Sequence, residues 1–425
     1  MMEIREKLFD ESGNPSSLFK VIFFTFTIHF LYWLALPHQA VLDRITQVST
    51  LWEAGWFRTV PFEYSKLCVE HGVLPYTKPD LPGYPFKYME YPFLLGYFSY
   101  GICILTRGHF STFCSVFQLI NIVFQVGNAS LIFLISKHFH SEKRSMFLGY
   151  SFSIMPSILW HSMSRYDCIP TFLMLLSLYL FLKGKLRLSY VPMAVGFMFK
   201  FFPALLGLIY IKNGYQNRRS LRYYIELVAI PAIIVFTSVL PLLIMNPTVL
   251  PWLLGFIGGF GWNWESIWGP IDQFVRPVFP FLSFFYINQE WMRVIFAISV
   301  LSFLAMNLKS KIDIVNGLAY SILCWLQTQW FFSPQYIVWI SPLLLILSFS
   351  NKFLALYFIF QLVMFVEIPS PFFYLFPVSP FHLTLIASSI RILLIFVFIT
   401  LILKDRIMGK INALLKRNSH QNFQN

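Results

Sequence analysis

Long apolar runs set the first limit on what this chain can fold into. They fall at roughly 19–37, 112–136, 146–161, 168–182, 188–200, 203–212, 224–245, 291–308, 313–330, 335–350, 352–367 and 383–403. A hydrocarbon core about 30 Å thick takes about 20 such residues as a helix, and fewer where the bilayer or the fold is thin. Inside it every backbone N–H and C=O must find a partner within the protein, so runs of this length read as helices. Composition agrees: of 425 residues, 57% are hydrophobic and only 12% charged, about half the charged share of a water-facing chain. The expectation is an all-α, polytopic membrane protein with about 10–13 transmembrane helices, forming a single integral domain over 1–425. A soluble enzyme, a coiled coil and a disordered chain are excluded.

The scarce charge is segregated. Lys137, Lys143 and Arg144, then Lys183, Lys185 and Arg187, then Lys212, Arg218, Arg219 and Arg222 fall between runs. Lys309, Lys311, Lys352 and the tail residues Lys404, Arg406, Lys410, Lys416 and Arg417 continue the series. Cytoplasmic loops collect Lys and Arg, so these loops, the segment 1–18 and the tail 404–425 are placed inside. The net charge of +13 therefore reports topology, not a nucleic-acid partner. The acids Asp43, Glu53, Glu63, Glu70, Asp80 and Glu90 lie in the opposite segment, 38–90.

With both ends inside, the apolar stretch 91–106 is expected to enter and return on the outer side as an interfacial or re-entrant helix; the alternative is a full crossing with a compensating miscount elsewhere. The first run lacks a small-x-small site after it and reads as a retained helix, not a cleaved signal. Cys68, Cys103, Cys114, Cys168 and Cys324 have no CxxC spacing and read as buried small hydrophobes.

Ionisable residues at membrane depth or at the interface are functional candidates by default. Asp43 follows Pro37 and precedes 45–57, where Ile45, Val48, Leu51, Trp52 and Trp56 share one helical face. That pattern describes an amphipathic surface helix, for which Asp43 is either an N-cap or a catalytic acid. Glu90 leads into an apolar run, and Arg165-Tyr166-Asp167 opens the run 168–182. Both fit charge at a helix start, the latter as a local ion pair. Two short helices with a turn at Lys200-Phe201-Phe202-Pro203 reconcile the basic loops at 183–187 and 212–222. Lys200 then sits near the outer interface and needs an anionic partner. Trp262-Asn263-Trp264-Glu265-Ser266 falls in the outer loop 247–290, where an interfacial aromatic belt is the plainer account. Ser333-Pro334-Gln335-Tyr336 reads as a turn with Pro at the first helical position. What lifts these residues is that all come out on one face.

Taken in order, several short pieces resemble the GT-C class of membrane glycosyltransferases, most closely the polyprenyl-phosphate-mannose-dependent mannosyltransferases. They are Asp43 after the first helix, Gly72-Val73-Leu74-Pro75-Tyr76, Glu90-Tyr91-Pro92, Arg165-Tyr166-Asp167, Gly196 to Pro203, Glu265-Ser266, and Ser333-Pro334-Gln335-Tyr336-Ile337-Val338-Trp339. The match runs over roughly residues 20–350. Many relatives carry two prolines after Glu-Tyr, where this chain has Pro92-Phe93. Asp43 is followed by Arg44 and not by the second acid of a DxD pair, so no cofactor is assigned and a divalent metal stays an open alternative.

The resemblance implies transfer of one sugar, mannose by similarity, from a polyprenyl- or dolichyl-phosphate carrier. The acceptor would be a lipid- or protein-linked glycan on the non-cytoplasmic face of a prokaryotic plasma membrane or an endoplasmic reticulum. It implies Asp43 as general base, Lys200 as the cation for the carrier phosphate, and inversion at the anomeric carbon. Glu90, Arg165, Asp167, Glu265, Gln335 and Tyr336 are implied as contacts to sugar or acceptor, or as supports of the site. The alternative reading is a secondary transporter or lipid flippase, which needs inverted repeats with matching broken helices.

Overall fold

The computed structural model describes residues 15–35, 58–84, 87–89, 91–251, 277–278, 290–328, 332–367 and 385–404. In chain order the helices are α1 (Ser17–Ala35), α2 (Tyr64–Glu70), α3 (Phe93–Leu105), α4 (Phe110–Ser136), α5 (Glu142–Ile154), α6 (Pro156–Ser164), α7 (Cys168–Leu182) and α8 (Leu186–Phe199). They continue as α9 (Leu205–Gln216), α10 (Leu221–Met245), α11 (Glu290–Ala305), α12 (Lys311–Thr328), α13 (Ile337–Ile346) and α14 (Asn351–Val366), closing with α15 (Leu385–Lys404). A π-helical turn at Arg58–Glu63 leads into α2.

Among the described residues, α1, α4, α10 and α15 are long and apolar enough to cross a membrane, and α6 with α7 makes a fifth if the bent pair is one span. The chain is a multi-pass helical membrane protein. Among the described residues the remaining apolar runs form shorter helices, so four to five pass by length and composition where ten to thirteen are expected for the chain. At 1.5 Å per residue α3, with 13 residues, is about 20 Å long, short of a core about 30 Å thick. The run 146–161 divides into α5 and α6 because Pro156 begins a new helix and holds Met155 extended, at ψ 125°, as a residue before proline prefers. α1 and α10 present Phe23, Leu31, Val228, Ile233 and Phe236 outward; lipid, which asks for no polar partner, suits such faces.

Two apolar cores fill the interior. The larger runs along the bundle through α4 to α9 and α12 to α15, with Phe133, Leu178, Tyr210, Leu323 and Leu344 inside it. The smaller is rich in aromatic rings and lies under the first loop region, joining Tyr64, Tyr76, Tyr88 and Phe93 to Phe113, Tyr166 and Met198.

α6 and α7 meet at 113°, a bend that strips carbonyls of their helical donors. Amides on one face of α4 supply donors at this break. Gln118 donates to the Met163 carbonyl, Asn121 to those of Ser162 and Arg165, and Asn128 to that of Cys168. Irregular backbone at membrane depth persists where protein satisfies it, and this stripe does so. Asn121→Ala is expected to lower stability by about 1–2 kcal/mol, since two buried carbonyls lose their donor. Thermal unfolding of the detergent-solubilised chain would show this, and an unchanged midpoint would remove the stripe from the account.

Tyr76 is strained on purpose. Its φ of +67° lies in the left-handed region, where an aromatic residue is rare and costs about 1–3 kcal/mol. Its N–H donates to Tyr64 Oη at 2.7 Å and its carbonyl accepts from Asn246 Nδ2 at 2.8 Å. Its hydroxyl donates to the Tyr91 carbonyl at 2.8 Å. The ring lies so close to α3 that a Cβ on Gly96 would fall 2.4 Å from it. Gly96→Ala should therefore destabilise by about 1–3 kcal/mol before the helix-propensity gain of about 1 kcal/mol. The clash wins because Tyr76 is pinned at three polar atoms. A raised melting temperature in Gly96→Ala would contradict this packing.

Candidate functional site

The two cores meet where α7 begins and α8 ends, and the buried charge gathers there. Asp167 occupies the N-cap position of α7 but makes no capping hydrogen bond. Its carboxylate turns across the fold instead. Lys200 Nζ donates to Asp167 Oδ1 at 2.6 Å, and the Trp339 indole N–H donates to the same oxygen. Asp167 is fully buried and Lys200 is 8% exposed. Among the described residues neither Asp167 Oδ2 nor the buried Oε1 of Gln335 has a hydrogen-bond partner.

Lys200 reaches this position because α8 stops at Phe199 and the chain turns extended, with φ −160° and ψ 144° at Lys200. Pro203 stands in the first turn of the short 3-10 segment Phe202–Ala204, which feeds α9. This is the turn expected from the sequence. Gly196 allows the return, since a Cβ there would meet Pro203 and Leu173 at 3.1–3.2 Å. The ammonium, expected to need an acid, has Asp167. Three rings surround it as well, with centroids at 5.0 Å for Tyr166, 5.3 Å for Tyr336 and 4.8 Å for Trp339. An aromatic face attracts a cation more strongly where water is excluded.

Arg165 is 6% exposed and close enough to act on Lys200 electrostatically. Two basic side chains thus stand beside the Asp167 carboxylate. Tyr336 ends the turn Pro334–Tyr336, with Pro334 at its start, and stacks on Trp339 with centroids 4.0 Å apart. Phe202 stacks on Trp339 at 4.4 Å.

The first loop region reaches the same place through rings. Tyr76 holds Tyr91 by its carbonyl, and Tyr91 packs edge-on against Tyr166 at 5.6 Å. Tyr166, Asp167, Tyr336 and Trp339, far apart in sequence, therefore meet around Lys200, and Tyr76 is tied to them through Tyr91. Asp43, Glu90 and Glu265 lie outside the described residues, as do the amphipathic stretch 45–57 and the aromatic cluster 262–264.

Reading the sequence missed several buried polar groups. His29 of α1 is fully buried, with Nδ1 3.2 Å from Ser162 Oγ, beside the break. His161, one residue away, is also buried. Ser157, Gln361 and Ser341 form a hydrogen-bonded row between α6, α14 and α13. Glu367 and Arg391 pair at 2.9 Å with both side chains buried. Each was visible as a polar residue inside an apolar run, the signal that marked Lys200.

Cys68, Cys103, Cys114, Cys168 and Cys324 are all free and buried. Burial pushes the Cys68 thiol up to about 12, so it stays neutral and unreactive at physiological pH. Among the described residues no three His, Cys, Asp or Glu side chains come together as a metal site. No family model matches the chain, and a search of curated proteins returns no relative.

Proposed function

We propose that this chain is a GT-C-type membrane glycosyltransferase. It moves one sugar, mannose by resemblance, from a polyprenyl- or dolichyl-phosphate carrier to a glycan or glycolipid acceptor on the non-cytoplasmic face. The observation that carries this reading is the Asp167–Lys200 pair, buried at a helix break inside an aromatic enclosure. Ionisable groups are costly at such depth and are kept for function.

In the reaction the acceptor hydroxyl oxygen bonds to the anomeric carbon as the bond from that carbon to the carrier phosphate breaks. The electron pair leaves with the phosphate, and the hydroxyl proton passes to Asp43. Attack opposite the leaving group inverts the anomeric centre. The departing phosphate needs fixed positive charge and no proton. Lys200 carries three N–H donors, of which Asp167 takes one, and Arg165 adds a second charge nearby. Asp167 Oδ2 and Gln335 Oε1 are acceptors suited to sugar hydroxyls. Tyr336 and Trp339 offer ring faces, and Glu90 and Glu265 complete the acidic set.

A transport reading draws on the same break, since transporters build their sites from discontinuous helices. It calls for a second, symmetry-related break. The described residues hold one such bent pair.

Radiolabelled polyprenyl-phosphate mannose added to membranes containing the full chain tests the proposal. Label appearing in an acceptor glycan supports it. Failure to turn over any carrier-linked sugar, with the intact carrier moving between leaflets, overturns it in favour of transport.

A further inference from the structure

The buried pair Glu367–Arg391 lies apart from Lys200 in sequence and in the fold, yet a continuous set of contacts joins them. Glu367 closes α14 and Arg391 lies in the second turn of α15. Arg391 Nε donates to both carboxylate oxygens of Glu367, at 3.1 and 2.9 Å, and Ser388 Oγ donates to one of them at 2.6 Å. Both residues are at most 1% exposed.

A buried pair of this kind is poor evidence for stability, because apolar residues of similar size often do as well or better. What an arginine adds is a planar cation that can hold a ring face. The Arg391 guanidinium carbon stands 3.5 Å from the Phe332 ring centroid, the separation of flat stacking. Phe332 meets Tyr336 edge-on at 5.4 Å, and Tyr336 stacks on Trp339. Both of the latter rings face the Lys200 ammonium, and Trp339 also donates to Asp167. A second tie fixes α15 beside this segment, since Gln327 Nε2 at the end of α12 donates to the Ile392 carbonyl at 2.9 Å. Phe332 thus enters the site's wall from an anchored helix end on one side and an anchored guanidinium on the other.

We infer that Arg391, oriented by Glu367, is a positioning residue that sets the Tyr336–Trp339 wall of the Lys200 site through Phe332. Glu367 fixes the guanidinium plane, the plane fixes the Phe332 ring, and the ring's edge fixes Tyr336. The wall's place in sugar transfer rests on the proposed function. The mechanical coupling does not.

The test labels the full chain with 5-fluorotryptophan and follows Trp339 by fluorine NMR in detergent. Trp339→Phe assigns its line among the 12 tryptophans. Arg391→Met keeps length without the planar cation, Glu367→Gln keeps shape without the charge, and Phe332→Leu removes the intermediate ring while leaving the ion pair alone. The expected result is a shifted or broadened Trp339 line in Arg391→Met and Phe332→Leu, with most other lines in place. A smaller displacement is expected in Glu367→Gln. An unmoved Trp339 line in Arg391→Met or in Phe332→Leu overturns the inference, whether or not the chain transfers sugar. If Arg391→Met fails to fold, the Phe332→Leu line decides. Where the wild type transfers sugar, Arg391→Met should lower kcat at least tenfold with the acceptor KM within threefold. Wild-type kinetics in Arg391→Met would count against the coupling. A wild type that moves no sugar removes the proposed function and leaves the resonance result standing.

Discussion

Asp167→Ala is expected to cost about 3–5 kcal/mol of stability, because it leaves a buried ammonium without its counter-charge. Lys200 would then face three rings and the neighbouring Arg165, and its interaction with the rings, on the order of 2 kcal/mol, was already present beside the carboxylate. Lys200→Met, which strands Asp167 with a single indole N–H, should cost a similar amount. The double variant Asp167→Ala/Lys200→Met should recover much of the loss, since it leaves neither charge buried without its partner. Thermal unfolding of the four proteins gives the coupling energy directly. A double variant whose loss equals the sum of the singles would show that the two side chains do not act as a pair.

The largest effect on turnover is expected at Asp43. If it accepts the proton of the attacking hydroxyl, Asp43→Asn should lower kcat by about 10²–10⁴-fold, the usual contribution of a positioned base. The carrier KM should change little, since the base acts on the acceptor and not on the donor phosphate. Single-turnover transfer from labelled carrier separates the two quantities. Transfer by Asp43→Asn at the wild-type rate would remove this residue from the chemistry while leaving the Lys200 site to be explained otherwise.

How far the sequence could be read follows from which interactions are local. Apolar length is local, so the run 112–136 reappears as Phe110–Ser136 and 224–245 as Leu221–Met245. The turn at Lys200–Pro203 was legible for the same reason, because proline and the two flanking basic loops leave one solution. The division at Met155-Pro156 carried its own signal in the proline, but continuous apolarity outweighed it. The pairing of Asp167 with Lys200 is a different matter. Two residues 33 apart meet because α7 and α8 pack antiparallel around Gly196, and spacing along the chain does not encode which acid a buried lysine will find. The Gln118, Asn121, Gln125 and Asn128 stripe has helical period and could have been read as facing protein. Glu367 and Arg391 stood inside assigned apolar runs and could have been read as a buried pair.

The amide stripe on α4 also bears on how the protein is made. Chains are synthesised from the amino terminus, so α4 is in place before the end of α6 emerges with carbonyls that lipid cannot satisfy. The donors wait for the acceptors. Asp167 has no such provision, since its lysine arrives 33 residues later and its indole 172 residues later. During that interval its carboxylate has neither of these two partners. Biogenesis of the bundle therefore has one step that the order of the sequence prepares and one that it leaves to the translocation machinery.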